Sequence, residues 1–450
     1  MIWLYALVNG LALLWGARYA WRVGLRTVIP FAMCLALLSV YCLLTPVCFY
    51  LMGRETVTGD AGYFRYVGKN IAAYYETGLF AYMVANLCFV GGFVAHHKPE
   101  ETVSQVLPAS CLPALRRFVV LLYGLFMAIV LVDIRLSGVS LVDVFLGTSE
   151  QALFSAPSVS NTYYFRAFAD SIITTLVLYA YLGGRRSRLI ALVVPAFVLF
   201  ALLGFRYRLI LTVLGLLLVY LFRPGRRING WRWAWVSVTL IYFLLMITYN
   251  RWFVITGLYD RIRLNPVAYD YAVLLEQTRG SLADFNLLRY YAENPETAHD
   301  YGLSMFGYVV VQIVPRHLFP GGEKPYPSPF IDVLDKSLEL PVTWARIGEA
   351  SLHYGAFYAG FGWMGFVVLP GLMGWWISTA IRRNPGRVPL GFLGQVGFSL
   401  ALFQFITRGY FPQFVDHFVY LFIPLWLIGS RIRKAAEPQS TIHPLHEAVH

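Results

Sequence analysis

Apolar residues in this chain gather in long uninterrupted runs, without the strict alternation of a half-buried strand or the narrow stripe of a soluble helix. A helix needs about 20 predominantly apolar residues to cross the roughly 30 Å hydrocarbon core of a bilayer. Runs of that kind lie near 1–21, 28–52, 76–96, 118–136, 166–184, 189–204, 208–222, 232–250, 354–380, 389–407 and 412–430. The runs 189–204 and 208–222 are short, with only Phe205-Arg206-Tyr207-Arg208 between them. A single re-entrant hairpin fits that pair as well as two spans do. The pattern predicts an all-α polytopic integral membrane protein with about 11 (10–12) transmembrane helices.

The polar connections alternate in charge. One set carries Arg22 and Arg26; Lys98, Arg116 and Arg117; Arg185, Arg186 and Arg188; Arg223, Arg226, Arg227 and Arg232; Arg382, Arg383 and Arg387; and Arg431, Arg433 and Lys434. Basic residues flank spans on the cytoplasmic side. All of these fall on one side when the runs are counted from an outside N-terminus. The expected orientation therefore has the N-terminus periplasmic, on an uncleaved first span, and the C-terminus cytoplasmic. The other side holds short loops and one long one. The chain then divides into an N-terminal bundle (1–250), a large outward loop (251–353), C-terminal spans (354–430) and a cytoplasmic tail (431–450). The long loop has nine basic and twelve acidic residues. Asp284 to Tyr291 carries apolar residues at helical spacing. Gly302 to Val314 is apolar but too short to span, which predicts an interfacial or re-entrant helix. Prolines at 315, 320, 325, 327 and 329 then break regular structure.

Composition agrees. Of 450 residues, 58% are hydrophobic and 13% charged, against about 25% charged in soluble domains. That excludes a soluble enzyme, a disordered chain and a coiled coil. The net charge of +12 is spread over short inter-span clusters, which argues against nucleic acid as a partner and for the lipid bilayer. The five cysteines, Cys34, Cys42, Cys48, Cys88 and Cys111, form no CxxC pair, so neither a disulfide framework nor a zinc site is implied.

Motifs narrow the chemistry further. Gly360-Phe361-Gly362-Trp363-Met364-Gly365 matches GxGxxG literally, but inside an apolar run it reads as small-residue helix packing. No Walker A, GxSxG or HExxH sequence occurs, and no DxD or ExD pair. Asp332 and Asp335 form only a DxxD in a Pro-rich loop, and His443, His446 and His450 lie in a polar tail. Metal-independent chemistry, with no cofactor, is the expectation. The informative residues are arginines on the outward side, where they are normally avoided. Arg206, Arg208, Arg251, Arg316, Arg346 and Arg408 all fall at or near the outward mouth, with Lys324 close by. Each needs an anionic partner. A loop carboxylate would serve any one of them. Arg206, Arg208 and Arg408 sit in short loops without adjacent acids, so a shared diphosphate fits the set, because guanidinium forks bind phosphate oxygens in bidentate fashion. Glu349 and His353 are four apart and would share a helical face. Glu349 is the first candidate for a general base and His353 the second, with Arg316 at the reacting centre. Tyr290, Tyr291, Tyr301, Tyr326 and Trp344 offer amphipathic faces for sugars, and fit equally as loop core.

These elements resemble those of the bacterial oligosaccharide repeat-unit polymerases, or O-antigen polymerases, which are related to the O-antigen ligases. The likeness rests on Pro315-Arg316 after an apolar helix, Lys324-Pro325, Gly348-Glu349 ahead of a Gly-rich span, Gly204-Phe205-Arg206, and Arg408-Gly409 in the penultimate outward turn. The His-x-His-Asn type element of the ligases is missing. The resemblance implies an inner-membrane glycosyltransferase of GT-C-like architecture. It implies polymerisation of polyprenyl-diphosphate-linked oligosaccharides into a surface polysaccharide, with a chain-length regulator and a flippase as further partners. A ligase, or a non-enzymatic lipid or polysaccharide transporter, is the alternative.

Overall fold

A computed structural model describes residues 1–51, 71–99, 107–136, 159–202, 206–223, 259–265, 278–314, 318–322, 325, 328–338, 350–386 and 388–436, with scattered positions between 231 and 250. The regular structure of the described residues is helical, with no strand among them. In chain order the helices are α1 (Ile2–Val23), α2 (Ile29–Leu51), α3 (Tyr75–His96), α4 (Leu112–Leu136), α5 (Val159–Tyr181), α6 (Arg186–Leu202) and α7 (Arg206–Phe222). The next four are α8 (Gly280–Glu293), α9 (Tyr308–Ile313), α10 (Pro329–Leu338) and α11 (His353–Phe361). The last three are α12 (Trp363–Arg383), α13 (Pro389–Arg408) and α14 (Phe411–Ala436). Six of them, α2, α3, α4, α12, α13 and α14, are long and apolar enough to cross a membrane. The chain is a multi-pass helical membrane protein.

Two helices of 17 residues, α6 and α7, cover the pair of short runs. The run at 354–380 is not one helix. It divides at Gly362, whose φ of 59° and ψ of −145° are open to glycine and costly for other residues. The short helix α11 is buried at every residue from His353 to Gly360, and α12 carries the membrane crossing. The GxGxxG run is thus a packing device: a Cβ at Gly365 would strike the Phe357 carbonyl, and one at Gly362 would meet the His299 ring. At the far end, residues 431–436, assigned to a tail, continue α14.

The middle of α2 is a π turn from Ser39 to Leu44. Pro46 explains part of it: with no N–H, it leaves the Cys42 carbonyl without its helical donor. Asn9 of α1 supplies one, from Nδ2 at 3.0 Å. The Asn9 Oδ1 accepts from Asn86 of α3 at 2.8 Å, and the Asn86 Oδ1 accepts from the Tyr354 hydroxyl of α11 at 2.7 Å. One directed chain of donors therefore joins four helices, and all three side chains are fully buried. With no water in the bilayer core, a break in that chain would leave polar atoms unpaired.

Helices α3 and α12 approach closely through glycine. A Cβ at Gly92 would strike the Gly371 carbonyl, and one at Gly374 the Phe89 carbonyl. Lipid offers no hydrophobic drive for helix pairing, so close backbone packing supplies it. A Cβ at Gly91, one residue from Gly92, would meet nothing within 4 Å.

The described part of the large loop is a packed helical unit. Arg289 of α8 bonds Glu293 on its own helix at 2.9 Å and the Ser337 carbonyl of α10 at 2.8 Å. The predicted short helix is present as a π turn, Leu303–Gly307, running into α9. Asp300 caps it by accepting from the N–H groups of Gly302 at 2.9 Å and Ser304 at 3.2 Å. Ser304, Met305 and Tyr308 face inward, while Leu303, Phe306, Val310 and Ile313 stay more than half exposed. Phe306 also meets Phe411 at the start of α14, ring centroids 5.4 Å apart. This apolar stripe lies beside the start of α14.

Gly374→Ala should lower thermal stability in detergent by on the order of 1–3 kcal/mol through overpacking, whereas Gly91→Ala should leave the midpoint unchanged. Equal midpoints for the two variants would contradict the assigned α3–α12 contact.

Candidate functional site

The large loop does not merely cover the bundle; α8 is sunk into it. Eleven of its 14 residues are buried. Phe285 sits where a Cβ at Gly78 would be and meets the rings of Tyr75 (5.1 Å) and Tyr82 (5.3 Å) on α3. One residue earlier, Asp284 is 1% exposed. It reaches about two turns below the start of α3, where the Tyr82 hydroxyl donates to its Oδ2 at 2.8 Å. Its Oδ1 accepts from the Leu352 N–H at 2.8 Å, and the Gly355 N–H donates to the same carboxyl. Gly355 must be glycine for this approach, since a Cβ there would overlap Oδ1. Burial pushes the Asp284 carboxyl well above the usual carboxylate range; the three donated hydrogen bonds pull it down without cancelling that rise.

This acid fixes the segment leading into α11. Ala350 to Leu352 threads between two glycines: a Cβ at Gly280 would come within 2.7 Å of Leu352 Cδ2, and one at Gly409 would lie 2.5 Å from the Leu352 carbonyl and 2.8 Å from that of Ser351. Gly409 closes α13 in the left-handed conformation, φ 64°. The Arg408-Gly409 turn and the residues just after Gly348-Glu349, some sixty positions apart in sequence, are thus in direct backbone contact. Arg408 stays exposed at the end of α13, within electrostatic range of Tyr41.

His353 follows immediately and is fully buried. Its Nδ1 faces the Ile406 carbonyl at 3.4 Å, and the ring is enclosed by Tyr354, Phe357 and Phe405. Nε2 has no hydrogen-bond partner among the described residues. Desolvation lowers its pKa to about 3, so the ring is neutral at physiological pH and a weak base.

A second cluster lies within the bundle. Arg208 of α7 meets Asp170 of α5 at 2.6 Å, and His417 of α14 takes the other oxygen of the same carboxylate. Tyr207 lies against both groups, 5.0 Å from the Arg208 guanidinium and 5.1 Å from the His417 ring. One turn away on α5, Arg166 meets Asp133 of α4 at 3.0 Å. All five charged or titratable groups are at most 4% exposed. Arg208 has no acid adjacent in sequence, and the structure gives it one from another helix, Asp170. Its guanidinium is buried in the bundle, paired with that carboxylate.

The aromatic residues separate in the same way. Tyr291 is core: its hydroxyl donates to the Ala359 carbonyl at 3.3 Å and its ring stacks on His299 at 4.5 Å. Burial raises its pKa. Tyr290 is half-buried. Tyr301 is 79% exposed and held at φ 48°, a costly backbone for a bulky residue; of the three it alone presents an open face. Arg206 begins α7, but its side chain lies outside the described residues, as do Arg251, Arg316, Lys324, Tyr326, Trp344, Arg346 and Glu349.

Sequence reasoning missed Asp284, Tyr82, Asp170 and His417. Asp133, Arg166 and Asp170 carried a usable signal, since ionisable residues inside apolar runs demand partners. Asp284 carried none, because nothing in the pattern around it separates a sunken helix from a surface one. No protein-family model, curated protein or solved structure matches the chain.

Because Asp284 titrates above its unfolded value, its burial costs nothing below about pH 3.9. The cost then grows with rising pH until the folded-state group itself ionises. Thermal midpoints should therefore fall from pH 4.5 to pH 8 more steeply in the wild type than in Asp284→Asn; parallel slopes would contradict this. For the inner cluster, Asp170→Asn alone should cost about 3–5 kcal/mol, and Asp170→Leu combined with Arg208→Met should recover most of it. A double variant no more stable than the single one would argue for a role beyond packing.

Proposed function

We propose that this protein is a bacterial inner-membrane glycan polymerase. It transfers a growing oligosaccharide from one polyprenyl diphosphate to the free end of another lipid-linked repeat unit. In this reading the N-terminus is periplasmic, the C-terminus is cytoplasmic, about eleven helices span the membrane in a GT-C-like bundle, and the loop unit faces outward. The reading is carried by one observation: the Arg408-Gly409 turn packs directly on Ser351-Leu352. One stretch that carries the resemblance to O-antigen polymerases, Arg408-Gly409, thereby lies against the segment that follows a second, Gly348-Glu349, in sequence.

The chemistry follows from that placement. The acceptor hydroxyl attacks the anomeric carbon of the donor sugar, the bond from that carbon to the diphosphate oxygen breaks, and the diphosphate leaves with the electron pair. Arg408, with Arg206, Arg251, Arg316, Lys324 and Arg346, would hold that growing charge; one such contact is worth about 10²–10³ in rate. The acceptor proton passes to a base. Glu349 suits the task better than His353, whose enclosed ring is basic only to about 3; His353 fits as a positioning residue for the Arg408 turn. Arg208, already paired with Asp170, holds α7 in place. Tyr301 offers the glycan an exposed ring.

A second reading has an observation of its own. Ionisable side chains inside a membrane bundle mark transport pathways, and the Asp170–Arg208–His417 and Asp133–Arg166 groups are of that kind. Purified protein given only lipid-linked repeat units separates the two, since elongation requires the enzyme.

Arg316→Ala, Arg346→Ala and Arg408→Ala should each abolish long glycan chains while leaving the protein in the membrane at normal level. Arg408→Lys should remain poor because it loses the fork. Gel analysis of the surface glycan reads the outcome, and normal chain lengths in all three alanine variants would defeat the assignment.

A further inference from the structure

One recess lies away from the loop end of the bundle. It is a groove of about 500 Å³ between α1 and α2, within the range of about 300–1,000 Å³ usual for small-molecule sites. Its origin is legible in side-chain size. Gly10, Ala17 and Ala20 on α1 face Ala32, Ala36 and Ser39 on α2, so the two helices leave space where larger residues would close it. The lining is otherwise leucine and Trp21. Ser39 already donates its hydroxyl to the Leu35 carbonyl at 2.7 Å, so the groove presents hydrocarbon chemistry. Leu4, Leu7, Leu11 and Leu14 are exposed on the rest of α1, and α2 is one of the candidate spans, so the medium around the groove is lipid.

One end of the groove is charged. Trp21 lines it there, and Arg18 and Arg22 are both exposed on α1. Leu14, Arg18, Trp21 and Arg22 fall at spacings of three, four and seven, so the two guanidinium groups share a helical face with two groove-lining residues. A ligand that fits has one flexible hydrocarbon chain and an anionic head. We propose that the groove binds an anionic glycerophospholipid, with an acyl chain between α1 and α2 and its phosphate held by Arg18 and Arg22. Guanidinium forks suit phosphate oxygens. The inference is independent of the glycan reading: it concerns a structural lipid of the leaflet on the arginine side, far along α2 from the loop-end site.

The experiment is thermal unfolding of delipidated full-length protein in detergent, titrated with dioleoyl-phosphatidylglycerol or dioleoyl-phosphatidylcholine. Phosphatidylglycerol should raise the wild-type midpoint by at least about 2 °C more than phosphatidylcholine. Arg18→Gln with Arg22→Gln should erase that difference. Ala17→Leu with Ala36→Leu should blunt the gain from both lipids, because both alanines are exposed and the added leucines fill the groove without entering the core. Should that double variant fail to fold, native mass spectrometry of the unaltered protein decides: one retained phosphatidylglycerol per chain is expected, and none overturns the proposal. Equal gains from the two lipids overturn it, as does a full gain in the groove-filled variant. A second copy of the chain as occupant would give a dimer that the leucines abolish and lipid does not affect, and that result also overturns it.

Discussion

One buried carboxyl organises the junction between loop and bundle. Asp284 belongs to a loop helix, yet it receives its hydrogen bonds from the membrane helix α3 through Tyr82 and from the backbone at Leu352 and Gly355. A polar group this far from water is tolerable only when it is bonded. The bonds it takes are those that set where the segment 350–355 can lie. From that placement follow the glycine contacts at 280 and 409, the burial of His353, and the position of the Arg408 turn. The directed chain from Tyr354 through Asn86 and Asn9 to the Cys42 carbonyl anchors the same segment one residue beyond His353. Two polar systems therefore bracket a single turn of α11, one reaching it from the loop and one from within the membrane.

The arginines divide by exposure. Arg166 and Arg208 are enclosed and matched to Asp133 and Asp170. Such pairs offset the cost of burying charge rather than adding stability outright, and they tie α4, α5, α7 and α14 together in fixed register. Arg408 is different: it stands exposed at a helix end whose backbone is pinned by Gly409. Under the proposed function this contrast has a purpose. Electrostatic catalysis requires a cation held in place before charge develops, and a rigid turn packed on a rigid segment provides that.

Much of the architecture was legible in the sequence because bilayer thickness imposes a length on apolar runs. Nine of the eleven predicted runs each coincide with one described helix, the short pair 189–204 and 208–222 with α6 and α7; six described helices are long and apolar enough to cross a membrane, and the run at 232–250 lies largely outside the described residues. The run at 354–380 misled, because hydropathy does not register a conformational break: Gly362 looks like any small residue until its φ of 59° is known. The short helix after Gly302 was readable as too short to span from length alone. The site was less legible. Arg208 was read as sitting in a short loop without adjacent acids; its carboxylate, Asp170, lies on another helix, and proximity across a bundle leaves no trace in local spacing. Asp284 was hidden for the opposite reason, since its neighbours form an ordinary amphipathic pattern and nothing local says that the whole helix is submerged.

Everything about the proposed activity turns on where a diphosphate head group comes to rest. A cryo-electron microscopy structure with a polyprenyl diphosphate bound would answer that directly. The account predicts phosphate density against Arg408 and the Ser351–His353 segment, with Asp284 still bonded to Tyr82. Phosphate density lodged elsewhere, whether beside Asp170 and Arg208 inside the bundle or at the Arg18 end of the α1–α2 groove, would contradict it.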